Sequence, residues 1–157
     1  MAEDFARLEP FLAGYLNRLG PAQRKRVMRK IGQEVRRINT RRIAANVQPD
    51  SSAMEPRKPR KRMKDAQGRI RRQGKMFRKL RLAKKIAIDV ADDEVALSFK
   101  GNAAESAERH HFGLPGFVGR TRKGKDIRVK YPARRLLGFG PEDMDAIIDA
   151  ALGLLEK

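Results

Sequence analysis

The sequence predicts an α+β fold: an N-terminal helical hairpin, a basic arm, and a small antiparallel β-sheet with a packing helix and a C-terminal amphipathic helix. Three observations predict it. Apolar residues recur at helical spacing near both ends, two alternating apolar runs flank an acidic turn, and most of the positive charge lies in one central stretch. These features divide the 157 residues into a helical hairpin at 1–48, a linker and basic arm at 49–85, and an α+β core at 86–157.

Two helices are predicted in the N-terminal region. Over residues 5–19, apolar side chains at spacings of three and four line one face of a helix. These side chains are Phe5, Leu8, Leu12, Tyr15, Leu16 and Leu19. Gly20 ends that helix, and Pro21 suits the first position of a second one that runs to about Asn46. An apolar stripe along the second helix predicts that the two pack as an antiparallel hairpin. The stripe consists of Val27, Ile31, Val35 and Ile38.

Positive charge is concentrated in a central arm. The chain has 37 Lys and Arg against 19 Asp and Glu, a formal net charge of +18, and residues 57–85 hold 15 of the cations against Asp65 alone, a net of +14. Because such dense like charges repel and prolines and glycines interrupt helices, an extended arm is predicted as far as Gly74, closed by a short helical piece from about Lys75 to Lys84. The arm either binds a polyanion or an acidic surface, or is a solvated loop that keeps the protein soluble. Its candidate contact residues are Arg57, Lys58, Arg60, Lys61, Arg62, Arg69, Arg71 and Arg72.

Residues 86–113 predict a β-hairpin followed by a helix. The runs 86–90 and 95–99 alternate apolar with polar or small residues on either side of an acidic turn. Asn102, with Glu105 three residues later, has the pattern of a helix N-cap, and Gly113 is placed to end that helix in the left-handed conformation.

Glycine and proline positions organise the rest of the core. The glycine-rich stretch 114–126 predicts a mobile basic loop. Ile127 and Val129 alternate before Pro132, which predicts an edge or broken strand. Pro141 opens a terminal helix with acidic residues in its first turn, where the helix dipole favours them. The predicted buried stripe of this helix is Met144, Ile147, Ile148, Ala151 and Leu155.

The composition argues against an enzyme. The absence of Cys excludes disulfides, thiol catalysis and zinc fingers. His110 and His111 are the only histidines; on a helix they point about 100° apart, and no Ser or Asp is placed to complete a triad. We expect one ring to pack under the following loop and the other to be solvated, and we expect no catalytic residue, metal or cofactor. No apolar run is long enough to span a membrane and no signal-peptide pattern is present, so no membrane contact is expected.

Nucleic acid is one candidate partner for the arm. Cations at this density would displace counterions from a duplex and give a salt-dependent affinity that ignores base sequence. Base recognition is not indicated, because Phe77 is the arm's single aromatic residue and no helix-turn-helix pattern is present. One hypothesis is therefore a sequence-independent nucleic-acid-binding protein with non-specific contact to DNA.

The C-terminal half carries a more specific pattern. The run AESAERHHFG, which ends at His110, His111, Phe112 and Gly113, is followed by a glycine-rich basic loop and then by YPARRLLGFGPEDMDAIIDAAL. This arrangement resembles the phage virion morphogenesis family, which includes the tail completion proteins of contractile-tailed, Mu-like phages. The N-terminal half is similar too. The chain departs from the family pattern at residues 49–54, where Pro-Asp-Ser and then Met54 stand in place of Pro-Asp-Gly and a Trp.

The resemblance implies a structural role without an active site. It implies a tail terminator that caps the head-proximal end of the tail and prepares it for head–tail joining, as a ring of copies, six by expectation. Its partners would be further copies of the chain and tail tube, sheath or neck proteins. It would lie in the virion tail after assembly in the host cytoplasm. An assembly protein of this kind is the first functional hypothesis, and the nucleic-acid-binding protein is the alternative.

Two surfaces are candidates for contact with a subunit, the tail or the neck. Arg134 and Arg135 lie on an extended segment, so one would face the core or an acidic helix and the other a neighbour. Leu136 and Leu137 would pack under the last helix or against the next subunit. Four cations of the glycine-rich loop form the second candidate: Arg120, Arg122, Lys123 and Lys125. The alternatives are solvated edge charges for the arginines and a disordered surface loop for the four cations.

Overall fold

The computed structural model describes residues 10, 13–58, 75–91 and 94–153. Within these ranges three α-helices and four strands alternate along the chain, which confirms the α+β class. They are α1 (Pro21–Ala45), β1 (Ile86–Val90), β2 (Val95–Phe99), α2 (Asn102–Phe112), β3 (Pro115–Arg120), β4 (Asp126–Lys130) and α3 (Pro141–Leu152). A further helical turn covers residues 13–16, and a 3₁₀ turn, Ala83–Lys85, precedes β1. None of the described helices is both long enough and apolar enough to cross a membrane.

α1 begins and ends where the sequence predicts. Gly20 is its N-cap and Pro21 its first residue, while Asn46 ends it in the left-handed conformation, with φ 58°. The predicted apolar stripe is buried. Of the apolar face of the first predicted helix, Tyr15, Leu16 and Leu19 are described and lie in or against the first hydrophobic cluster. The Tyr15 hydroxyl donates to the carbonyl of Ala151 over 3.0 Å. Phe5, Leu8 and Leu12 of the same predicted helix lie outside the described part of the chain.

One hydrophobic cluster joins the N- and C-terminal helices. It consists of Leu16, Val27, Met28, Ile31, Val35, Ile147, Ala150 and Ala151, with residues of the β1–β2 hairpin packed against it. Gly32 lets α1 approach that hairpin closely, because a Cβ at this position would lie 2.5 Å from Cγ2 of Ile88 and 2.7 Å from Cγ2 of Val95. The shared burial of apolar side chains from α1 and α3 therefore holds the two helices together, and the β1–β2 hairpin packs against the same cluster.

A second cluster gathers the connecting segments around the far end of α1. Its members are Ile43, Met54, Met76, Phe77, Leu80, Ala103, Ala107 and Leu136. Residues 75–82, predicted as part of a helix, form turns instead, and Phe77 has a left-handed φ of 55°. Ala83, inside that predicted helical piece, is exposed and begins the 3₁₀ turn instead. Together the two clusters contain residues from all three predicted regions, 1–48, 49–85 and 86–157. The division of the chain into these regions stays a prediction.

The strands form two separate antiparallel hairpins. In the first, Ile86 pairs with Phe99, and the Ala91 N–H donates to the Glu94 carbonyl over 2.8 Å, which confirms the predicted hairpin. In the second, β3 and the turn that follows it occupy the stretch 114–126 that was predicted to be a mobile loop, so that prediction is wrong, whereas the strand predicted at Ile127 and Val129 is confirmed as part of β4. The glycines of this hairpin serve the strands: Gly116 packs against the Tyr131 ring, and the register shifts between residues 117 and 119, a β-bulge.

The first residues of α2 and α3 can be compared with the helix-start signals in the sequence. α2 begins at Asn102 itself, and Gly101, with φ 65°, takes the N-cap position predicted for Asn102. The Asn102 side chain instead accepts from Nζ of Lys85 over 3.2 Å. α2 ends in the left-handed Gly113, as predicted. α3 has Pro141 at its first position, as predicted, but Met144 and Ile148 are half-buried, and Leu155 lies outside the described residues. Its buried residues are Asp143, Ile147, Ala150 and Ala151.

Candidate functional site

Arg134 is a buried arginine that ties three chain segments together. It is 4% exposed. Its Nε donates to the Glu55 carbonyl over 2.6 Å and its Nη2 to the Pro56 carbonyl over 3.2 Å. Nη1 lies 3.4 Å from Nδ1 of His110, and the backbone N–H donates to the His110 carbonyl over 2.7 Å. The guanidinium is thus used inside the chain, where it holds the entry to the basic arm against the end of α2.

Arg135 points the other way, as successive residues of an extended segment do. Its Nη2 lies 3.1 Å from a carboxylate oxygen of Asp50, and the ion pair is exposed on both sides. Hydrogen bonds from Ser52 are the main cause that lowers the pKa of Asp50, so this carboxylate stays charged. The Arg135 backbone N–H donates to the Gln48 side chain over 2.9 Å. Arg135 is therefore the member of the pair that a neighbouring molecule can reach.

The two leucines that follow differ in the same way. Leu136 is 1% exposed and belongs to the second hydrophobic cluster, beside Ile43 and Ala107. Leu137 is half-buried. Leu136 therefore packs against α1 and α2, and its partners in that cluster include no residue of α3.

Both histidines lie against this segment, which corrects the expectation that one is solvated. The His110 ring lies between Phe77 and Tyr131, with ring centroids 5.0 and 4.4 Å away. Nδ1 of His111 accepts the Leu136 N–H over 3.2 Å, which places the proton of the neutral ring on Nε2. Burial is the main cause that lowers the pKa of each imidazole, and neighbouring arginines add to it. The histidines act as packing and hydrogen-bonding groups.

The β3–β4 hairpin carries the second set of candidates. Its cations Arg120, Arg122, Lys123 and Lys125 are all exposed. Arg120 pairs with Asp126 across the turn, with 2.9 Å between Nε and Oδ1. Exposed apolar side chains accompany them, a feature that the sequence reasoning missed. These are Phe117, Val118, Ile127 and Val129.

The basic arm is described only at its two ends. Arg57 and Lys58 are exposed, and the other candidate residues lie outside the described part of the chain. These are Arg60, Lys61, Arg62, Arg69, Arg71 and Arg72. Between the ends lies a cleft of about 790 Å³, and among the described residues that line it every charged side chain is basic. They are Arg57, Lys75, Arg78, Lys79, Lys84, Lys85 and Arg134. The described residues contain no group of three or more His, Asp or Glu placed to hold a metal ion.

Fold and surfaces together define a small α+β protein whose described surface carries exposed basic and apolar side chains. The model of the phage virion morphogenesis family matches residues 3–156, and the chain belongs to that family. Over 155 residues the chain is 32% identical to Tail completion protein S of Escherichia phage P2, covering 98% of this chain and 99% of that protein. No solved structure matches.

Proposed function

We propose that this protein is a structural tail completion protein that terminates the phage tail at its head-proximal end and is needed for head–tail joining. The observation that carries the proposal is the similarity to Tail completion protein S, which spans nearly the whole of both chains. A match of that extent includes both hydrophobic clusters and the segment 131–140, rather than one shared module. The role needs no active site, and no enzyme activity is proposed.

The partners in this proposal are copies of the chain in a ring of six, together with tail tube, sheath or neck proteins. Ring closure requires two different complementary patches on each copy. Arg135, Leu137 and the exposed cations of β3–β4 are the candidate contact residues, since each can be reached from outside the chain. The protein would assemble in the host cytoplasm and remain in the virion tail.

A second candidate function rests on the basic cleft. Every charged side chain among its described lining residues is cationic, and the cleft lies where the basic arm leaves and rejoins the described chain. Such a surface favours phosphate backbones, with an affinity that falls steeply as salt rises. Sequence-independent binding of nucleic acid is therefore the alternative, either alone or in addition to the tail role.

Deletion of the gene from the phage that encodes it tests the main proposal. We expect lysates with heads and tails that remain unjoined, or tails of abnormal length, by electron microscopy, and restoration of joined particles when the gene is supplied in trans. A frameshifted copy supplied in the same way is the control. Normal yields of infectious particles from the deletion would overturn the proposal. Duplex binding that falls with salt, together with joined particles in the deletion, would favour the alternative.

A further inference from the structure

The β3–β4 hairpin stands apart from the rest of the fold. Its two strands pair with each other over residues 115–130 and make no extensive contact with another helix or strand of the described chain. A two-stranded hairpin without a covering layer is at best marginally stable in water. The hairpin therefore has the geometry of an arm that gains its cover from another molecule.

Apolar side chains lie on both faces of this arm. Cross-strand partners share a face, so Ile127 and Val129 lie on one face with their partners Gly119 and Gly116. Because glycine has no side chain, this face is a shallow apolar strip. Their exposed fractions are 40% and 38%. On the opposite face Phe117 is 48% exposed beside Arg128. Phosphate contact requires no such apolar surface, so the combination favours a protein partner over nucleic acid.

The β3–β4 hairpin is also strongly cationic. Between residues 115 and 130 the sequence has six Lys or Arg and one acid, Asp126, a net of +5. Every residue from 120 to 130 is exposed. A partner must therefore present negative charge next to an apolar contact.

The outer face of α3 has that composition. Glu142, Asp145 and Asp149 follow one another at spacings of three and four, so they lie on one face of the helix, and all three are exposed. Leu152, 38% exposed, continues the same stripe. The helix contains no basic residue, and its fourth acid, Asp143, is buried. A single chain thus carries both a cationic apolar arm and an acidic apolar face.

We infer that the β3–β4 arm of one copy docks on the acidic face of α3 of a second copy. The two patches differ, so the contact is heterologous and leaves one free patch at each end, which further copies can fill until a ring closes. This inference rests on the proposed function, because it names the surfaces that join the copies of the proposed ring.

Cross-linking tests the contact directly, because the natural chain has no cysteine. The variants Val118→Cys, in the arm, and Leu152→Cys, on α3, are mixed and treated with a short bis-maleimide. We expect a covalent dimer that contains one copy of each variant. Ser106→Cys, exposed on α2, is the matched control partner for Val118→Cys and should give little product. Absence of the Val118→Cys and Leu152→Cys product, or equal product with the control, would overturn the inference.

Charge reversal tests the specificity of the same contact. Arg122→Glu with Lys123→Glu in the arm, or Asp145→Lys with Asp149→Lys on α3, should each lower the cross-linking yield about tenfold or more, since like charges then face each other. A chain that carries all four substitutions should recover it. Thermal melts of each variant report whether the fold is kept.

The outcomes separate this inference from the function on which it rests. If the four-substitution chain does not recover cross-linking, the docking inference is wrong. It is also wrong if Arg122→Glu with Lys123→Glu in the β3–β4 hairpin weakens duplex binding and leaves cross-linking unchanged. If the arm reversal abolishes cross-linking while tails are still completed, docking in the ring is wrong but the tail role stands. If deletion of the gene leaves particles normal, the tail role falls whatever the cross-links show.

Discussion

Arg42 and Asp143 form a two-pronged ion pair that fastens the end of α1 to the first turn of α3. Nη1 and Nη2 of the arginine lie 2.8 and 2.6 Å from the two carboxylate oxygens. The Asp143 side chain is fully buried, and one of its oxygens also accepts the Gly140 N–H over 2.7 Å. The residues are 101 positions apart in sequence, so this pair closes the fold between its first and last described helices.

Removal of one partner should be costly. Arg42→Leu leaves a buried carboxylate without its counter-charge, and we expect a loss of about 3–5 kcal/mol in the free energy of unfolding. Arg37→Leu, which breaks the exposed pair with Glu34, is the matched control and should cost about 0.5 kcal/mol or less. Urea denaturation followed by circular dichroism measures both. Equal losses in the two variants would contradict a structural role for the buried pair.

The approach of Gly140 to its neighbours depends on the missing side chain. A Cβ at this position would collide with the Pro49 carbonyl oxygen and lie 2.6 Å from Nη2 of Arg42. Gly140→Ala must therefore displace backbone or the ion pair, and we expect it to lose about 1–3 kcal/mol. Gly14→Ala, where nothing lies within 4 Å, is the control. A stability at or above the wild-type value for Gly140→Ala, measured by thermal unfolding, would show that the close approach is absent.

Adjacent arginines allow a matched comparison at the candidate site. Arg134→Met removes the donors to the carbonyls of Glu55 and Pro56, and we expect it to lose about 1–3 kcal/mol and to expose residues 55–58 to trypsin. Arg135→Met removes one exposed ion pair and should change stability by about 0.5 kcal/mol or less. Denaturation curves and timed digests distinguish the two. Similar curves for both variants would refute the assignment of Arg134 as the internal tie.

The sequence predicts features that depend on residues close together in the chain, and misses those that depend on residues far apart. The apolar stripe of α1, the β1–β2 alternation and Pro141 at the start of α3 are local signals, and the structure confirms each. The Arg42–Asp143 pair was missed because Asp143 also suits the helix dipole and nothing local selects one arginine among many. A local signal for its burial exists, since an acid three residues after Gly140 can accept the N-cap N–H.

The error at residues 114–126 has the same origin. Three glycines in thirteen residues are typical of a flexible loop. Here Gly116 faces the Tyr131 ring, and the β-bulge lies beside Gly119, so two of them adapt strands to specific neighbours. The pairing that requires them lies across a turn, and the apolar residues Phe117 and Val118 are adjacent in sequence, so β3 shows no simple alternating period. In the docking proposed above, a second copy of the chain covers them.

Acid should weaken the fold through the two histidines. Burial, with Arg134 and Arg57 near His110 and Arg135 near His111, lowers the pKa of both rings below the ordinary value near 6.5. The unfolded chain therefore binds protons that the folded chain resists, so stability is complete above pH 6.5 and falls as the pH drops toward the folded-state pKa values. His111→Asn, whose Oδ1 can replace Nδ1 as acceptor for the Leu136 N–H, should reduce this loss. Melting temperatures measured between pH 7.5 and 5.5 test this effect. Over that range the lowered pKa of Asp50 keeps its carboxylate charged, so Asp50 does not contribute to the change. An equal acid-induced drop in melting temperature in wild type and His111→Asn would rule out His111 as its source.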